Sequence, residues 1–167
     1  ILLGSFSKIF MPGLRIGWMV AHHDILEKAV MLKQTVDLQS SSFAQRQASY
    51  YIDMYDLDAH VAKIRELYGK RRTLMYDSMK KYFPQGLSFT YPEGGLFTWV
   101  TLPENIDAKA IMPEVIEKKV AYVPGGAFYP NGGNGNHFRL NYSNMPEDRI
   151  VEGIKRLAEV LKEKMGK

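Results

Sequence analysis

Between Leu57 and Tyr82 the chain keeps one helical period: Val61, Ile64, Tyr68, Met75, Met79 and Tyr82 fall on one face, and Pro84 and Gly86 end the pattern. A helix that long is a rod, and a rod in the middle of 167 residues separates the N-terminal side of the chain from the C-terminal side. We place a domain boundary inside it, near Leu57 to Tyr68, so that 1–60 and 61–167 are the expected domains. With 46% of the residues apolar, there is material for one sizeable core and a second, smaller one.

On both sides of the rod, short strand-like runs alternate with helix-like ones without internal repeats, and the expected class is α/β. "ILLG" at the start and "RIGWMVA" (Arg15 to Ala21) are apolar and glycine-bounded, the signature of buried strands in a covered sheet. Asp24 is suited to cap a helix through about Leu38, and a second helix is expected from Phe43 to Ile52. After the rod, "LSFTY" and "GLFTWVTL" flank "PEGG" as a hairpin-like pair. Next come a helix over "DAKAIMPEVIEKK", a strand at Val120 to Pro124 and a strand at Phe138 to Ser143. The closing helix has Ile150, Ile154, Leu157 and Leu161 on one stripe.

Charge and composition exclude several classes of function. The 22 Lys and Arg outnumber 18 Asp and Glu by only four, and the signs are interspersed, so no nucleic-acid partner is indicated for this segment. No apolar run is long enough to span a bilayer, and no secretory leader pattern opens the chain. The absence of cysteine fits a reducing compartment, and a cytoplasmic location is expected. Ile1 to Gly4 reads as a strand already under way, which leads us to expect that residues upstream are missing from this sequence.

The stretch with most chemistry is "GSFSKIFMPGLRIGW", Gly4 to Trp18. Ser5 and Ser7 offer hydroxyls, Arg15 a planar fork matched to phosphate, and Gly13 a place where backbone can approach closely. Lys8 alone is an ordinary solvated lysine at a strand end. Beside a phosphate site it is an amine placed to form an imine with an aldehyde, and pyridoxal phosphate is both phosphate and aldehyde.

This stretch resembles the cofactor-lysine segment of fold-type I pyridoxal-phosphate aminotransferases of class I/II, in the branch that includes 2-aminoadipate aminotransferases. The likeness continues through "PEGGLFTWV", "YVPGGAFYPNGG" and "FRLNYS" in the same order, over almost the whole chain. It implies the last strands and helices of the large cofactor-binding domain at 1–60, then the small C-terminal α/β domain at 61–167. It implies that Lys8 bonds to pyridoxal 5′-phosphate and later moves the proton between substrate Cα and cofactor C4′. Ser5 and Arg15 are the implied phosphate ligands, with Ser7 a weaker one. Arg139 is the implied holder of the substrate α-carboxylate, and Gly95, in the "PEGG" turn, an implied element of the substrate pocket.

The implied reaction moves an amino group from an L-amino acid of aminoadipate, aromatic or branched-chain type to a 2-oxo acid such as 2-oxoglutarate, in a homodimer. The family's pyridine-pairing aspartate, ring-stacking aromatic residue and first phosphate loop precede the cofactor lysine, so the isolated segment is expected to be inactive and to expose sheet edge and apolar surface. The same resemblance extends to the ligand-sensing domain of winged-helix transcription regulators, and to a domain that keeps only the fold. "GGNGNH" (Gly132 to His137) lacks dinucleotide-loop spacing and reads as a flexible loop near the substrate entrance. His22, His23, His60 and His137 lack metal-ligand spacing, and no metal site is expected; Tyr50, Tyr51 and Tyr55 read as helix packing.

Overall fold

The computed structural model describes residues 1–166. They form two compact units, Ile1–Arg65 and the residues from Glu66 onward, and the division falls within the long helix.

In the first unit, β1 (Leu2–Ser5) and β2 (Gly17–Val20) pair antiparallel with Leu2 opposite Val20 and Ser5 opposite Gly17. Gly4 stands opposite Trp18, and the indole lies so close over it that a Cβ there would run into the ring. Two helices come next in the chain, α1 (His23–Val36) and α2 (Ser42–Met54). The cap of α1 is His22 and not Asp24: its imidazole accepts from the Asp24 amide at 3.4 Å. Ser41 caps α2 in the ordinary way, its hydroxyl accepting from the Ala44 amide.

The strands of this unit are not buried as their composition suggests. Leu2, Leu3 and Val20 are 59%, 66% and 59% exposed, because the ribbon has only two strands and no layer covers it. Only Ile16, Ala44 and Ala48 are buried apolar residues here. A two-stranded ribbon with so small a core is marginal in water by itself.

The second unit has a conventional core. After α3 (Leu57–Tyr82), four strands form an antiparallel sheet in the order β3 (Ser88–Phe89), β4 (Phe97–Thr101), β6 (His137–Asn141), β5 (Val123–Pro124). Strand alternation sends Thr98, Val100, Phe138 and Leu140 to one face, where they are buried. Met75 and Met79 from α3, Val115 from α4 (Met112–Glu117) and Ile154, Leu157 and Leu161 from α5 (Glu147–Lys164) complete that core. Truncating a fully enclosed leucine such as Leu157 to alanine costs about 2–5 kcal/mol.

Two segments are shorter than their sequence suggests. The helix expected from Asp107 begins only at Met112, because the Asp107 carboxylate captures the Lys109 and Ala110 amides at 2.6 and 3.2 Å and holds a turn, with Pro113 in the first helical turn. The strand expected from Val120 is reduced to Val123–Pro124. Val120 is still tied to the helix end, its amide donating to the Val115 carbonyl, and Lys119 before it has φ 62°.

Tyr122 stacks on Phe138 with centroids 4.4 Å apart and donates its hydroxyl to the Ala108 carbonyl at 2.5 Å. Burial, aided by the charge of Asp107, pushes its phenol well above the ordinary value of 10.0; burial raises Tyr142 as well. A phenol whose folded value is raised contributes stability that is fully present below the unfolded value and is lost as pH climbs toward the folded one. Stability of the protein should therefore hold to about pH 10 and decline above it. Tyr122→Phe should lose about 1 kcal/mol at neutral pH and show a shallower alkaline decline. Denaturant midpoints across that range check this; equal alkaline slopes for the two proteins would remove Tyr122 from the account.

Candidate active site

β1 ends at Ser5, and residues 6–16 form a closed loop before β2 resumes the pairing. The loop is tied by the Phe6 amide to the Ile16 carbonyl at 3.1 Å, and by the Phe10 and Met11 amides to the Phe6 carbonyl at 2.9 and 3.1 Å. Phe10 packs on Tyr51 of α2, centroids 4.2 Å apart, and Tyr51 stacks in turn on Tyr55. Tyr50 is exposed instead.

This loop brings three of the expected donors together. The Ser7 amide donates to Ser5 Oγ at 3.2 Å, and Arg15 Nη1 points at Ser7 Oγ at 3.5 Å and the Pro12 carbonyl at 3.2 Å. Ser7 lies beyond the end of β1, so strand alternation does not set its direction; its hydroxyl faces Arg15. Arg15 caps the short 3₁₀ turn Pro12–Leu14 in the left-handed conformation, φ 56° and ψ 37°. That region costs a residue with a side chain about 1 kcal/mol or more, and such outliers concentrate at binding sites. Gly13 lies within that turn, and a Cβ there would meet nothing within 4 Å.

The electrostatics of the loop are one-sided. No acidic residue occurs before Asp24, and neither Lys8 nor Arg15 pairs with a carboxylate among the described residues. Lys8 is exposed on the turn beside Ser7. Two hydroxyls, a guanidinium bonded only to neutral oxygens, and a free amine form a donor set that lacks an anion, and a phosphate group fits it.

The second unit carries Arg139 on the sheet face opposite the core. There Phe97, Trp99 and Thr101 of β4 lie across from Asn141, Arg139 and His137 of β6. The Arg139 guanidinium carbon stands 3.9 Å from the centroid of Phe97 and 4.6 Å from that of Phe128. Its Nε is buried and has no hydrogen-bond partner, and no carboxylate pairs with the guanidinium among the described residues. The Nε has forgone solvation without a protein acceptor, at a cost of about 1–3 kcal/mol, while the residue as a whole is half-buried. Phe128 reaches it from the 3₁₀ turn Gly125–Phe128, which lies against β6.

Gly95, at φ 81°, is exposed in the turn that leads into Phe97. That turn is anchored from behind: Arg72 Nη1 donates to the Pro92 carbonyl at 3.1 Å, and the Tyr142 hydroxyl to the Gly94 carbonyl at 3.3 Å. Arg72 has no distinguishing sequence signal, since it is one of several basic residues on α3. Gly132, Gly133 and Asn134 all have positive φ in the turn before β6, consistent with a loop and not a nucleotide cradle. No group of His, Asp and Glu suited to a metal occurs among the described residues, and no helix there is long and apolar enough to cross a membrane.

The site geometry can be set beside known proteins. The family model for aminotransferase class I and II matches residues 1–157. Aromatic-amino-acid aminotransferase 1 of Thermococcus litoralis is 47% identical over 100% of this chain and 40% of its own length. The solved structure of alpha-aminoadipate aminotransferase from Thermus thermophilus, complexed with N-(5'-phosphopyridoxyl)-L-leucine, superposes with a TM-score of 0.94 at 34% identity, over 98% of this chain and 42% of that one. The HTH-type transcriptional regulator YdfD of Bacillus subtilis is 29% identical over 96% of this chain and 33% of its own length. The chain thus spans about two fifths of the aminotransferases it matches.

Gly125 sets a steric requirement beside Arg139 that backbone enforces. A Cβ there would fall 2.5 Å from His137 Cβ and 2.8 Å from the His137 carbonyl oxygen, so the turn that carries Phe128 can lie on β6 only with glycine at this position. Gly125→Ala should destabilise the protein by about 1–3 kcal/mol. An unchanged denaturant midpoint would show that the turn does not rest on β6.

Proposed function

The chain belongs to the aminotransferases of class I and II, and from that premise we propose that it supplies part of the active site of an enzyme that moves an amino group from an L-amino acid to a 2-oxo acid with pyridoxal 5′-phosphate. The observation that carries this is Arg139, an arginine packed against two rings with no anion of its own. Its fork suits the α-carboxylate common to every amino acid substrate.

The residues divide the work between charge and proton. Ser5, Ser7 and Arg15 hold the cofactor phosphate, and Lys8 Nζ is the amine that anchors the cofactor covalently. When bound, the cofactor supplies an electron sink that makes the substrate Cα proton acidic. With its amine free, Lys8 would take the proton from the substrate Cα and deliver it at the cofactor's C4′. Arg139 fixes the substrate's α-carboxylate by a planar two-point pair. Gly95 leaves the substrate side of its turn free of a side chain, as nothing lies within 4 Å of where a Cβ would stand.

Residues 1–60 are assigned to the large domain and 61–167 to the small one. The donor is an amino acid of aminoadipate, aromatic or branched-chain type and the acceptor 2-oxoglutarate; the names of the relatives support the first part. A homodimer in the cytoplasm completes the reading. The exposed Leu2, Leu3, Val20, Val30, Met31 and Leu32 support burial of the first unit's surface in a larger assembly. The likeness to YdfD supports a second reading, a ligand-sensing domain that binds the same molecules without turnover.

The complete protein with pyridoxal phosphate should show a yellow chromophore that a donor amino acid bleaches, and Lys8→Ala should abolish both while the fold persists. Arg139→Gln should lower kcat/KM for L-amino acids about 100-fold. Transamination by the Lys8 variant would overturn the assignment of Lys8, and a chromophore that no amino acid bleaches would favour the sensor.

A further inference from the structure

We propose that Phe97 and Phe128 are positioning residues for the substrate carboxylate: together they hold the Arg139 guanidinium in one orientation, enclose its Nε and leave its outer donors to the ligand. This rests on the assignment of Arg139 as the carboxylate holder.

The two rings come from separate parts of the second unit. Phe97 starts β4 directly after the Gly94–Gly95 turn, and Phe128 ends the turn that Gly125 allows onto β6. Both approach the same guanidinium carbon, at 3.9 and 4.6 Å. Phe128 is itself braced by Trp99, centroids 5.5 Å apart and rings at 75°, and Trp99 stands directly opposite Arg139 in the β4–β6 register.

A phenyl ring attracts a cation through its face but offers no lone pair to an N–H. Rings against the guanidinium therefore stabilise its charge without consuming its donors, which explains how Arg139 Nε is buried and unpartnered at once. A carboxylate oxygen in place of either ring would neutralise the arginine and close the site. Fixing the plane of the fork also reduces the entropy lost when a planar carboxylate pairs with it edge to edge.

The experiment uses the complete protein with its cofactor and compares Phe97→Leu, Phe128→Leu and Phe128→Tyr. Phe128 is 46% exposed, so its replacement opens no core cavity and the variant should fold. KM and kcat are measured for an L-amino acid, and the rate of cofactor bleaching for the amine of the same side chain without its carboxylate. The expected result is a KM for the amino acid raised about tenfold in each leucine variant, with kcat little changed and the amine's rate unaffected. Phe128→Tyr, which keeps a ring face, should behave as the parent. Equal losses for amino acid and amine would make the rings merely structural, and an unchanged KM in Phe128→Leu would overturn the proposal even if Phe97→Leu failed to fold. Arg139→Gln in the same assay separates the two claims. If it raises KM and the leucine variants do not, only the role of the rings falls; if it leaves KM unchanged, the assignment of Arg139 falls with it.

Discussion

A half-buried guanidinium without a counter-charge is the constraint around which the second unit is arranged. Arg139 meets no carboxylate among the described residues, and its Nε has no acceptor. The unit sustains this because its stability lies on the opposite face of the same sheet, where Val100, Phe138 and Leu140 interlock with α3 and α5. Alternation along β6 makes both possible, since Phe138 and Leu140 face the core and Arg139 between them faces away. The antiparallel register with β4 then brings aromatic residues beside it.

The first unit solves a different problem, that of gathering donors for a small anion in a short loop. Backbone hydrogen bonds within residues 6–16 fix the loop's path, and Phe10 seats it on α2. Arg15 takes a left-handed conformation at that point, and its side chain turns back to Ser7. The cost of an uncommon backbone state is small beside what a phosphate recovers from several charged and neutral donors at once. Most of the unit's apolar side chains remain exposed, so its order depends on surface burial that the unit alone does not provide.

Much of this is legible in the amino-acid order, and the exceptions have physical causes. The stripe Ile150, Ile154, Leu157, Leu161 and the alternation around Arg139 show where packing repeats with the period of the element. Lys8, Ser5 and Arg15 stand out because their residue types converge on one chemistry. The direction of Ser7 is set by the loop and not by strand alternation, because β1 stops at Ser5, a boundary that periodicity does not mark. Helical pattern alone starts α4 too early because the Asp107 carboxylate outcompetes the helix for two amides. Phe97 and Phe128 lie in stretches that the resemblance covers, but nothing there marks them as neighbours of Arg139: distant in sequence, they meet only through strand register and a steric fit at Gly125.

The central claim is that Arg139 keeps its donors for a ligand's carboxylate. Nitrogen-15 spectroscopy of the Arg139 side chain in the complete, cofactor-loaded protein tests it most directly, during titration with an unreactive carboxylate analogue of an amino acid. The account predicts Nη N–H signals that move and become protected as the analogue binds, and that stay unmoved by an uncharged analogue. Nη signals already protected in the free protein, or indifferent to the carboxylate, would contradict it.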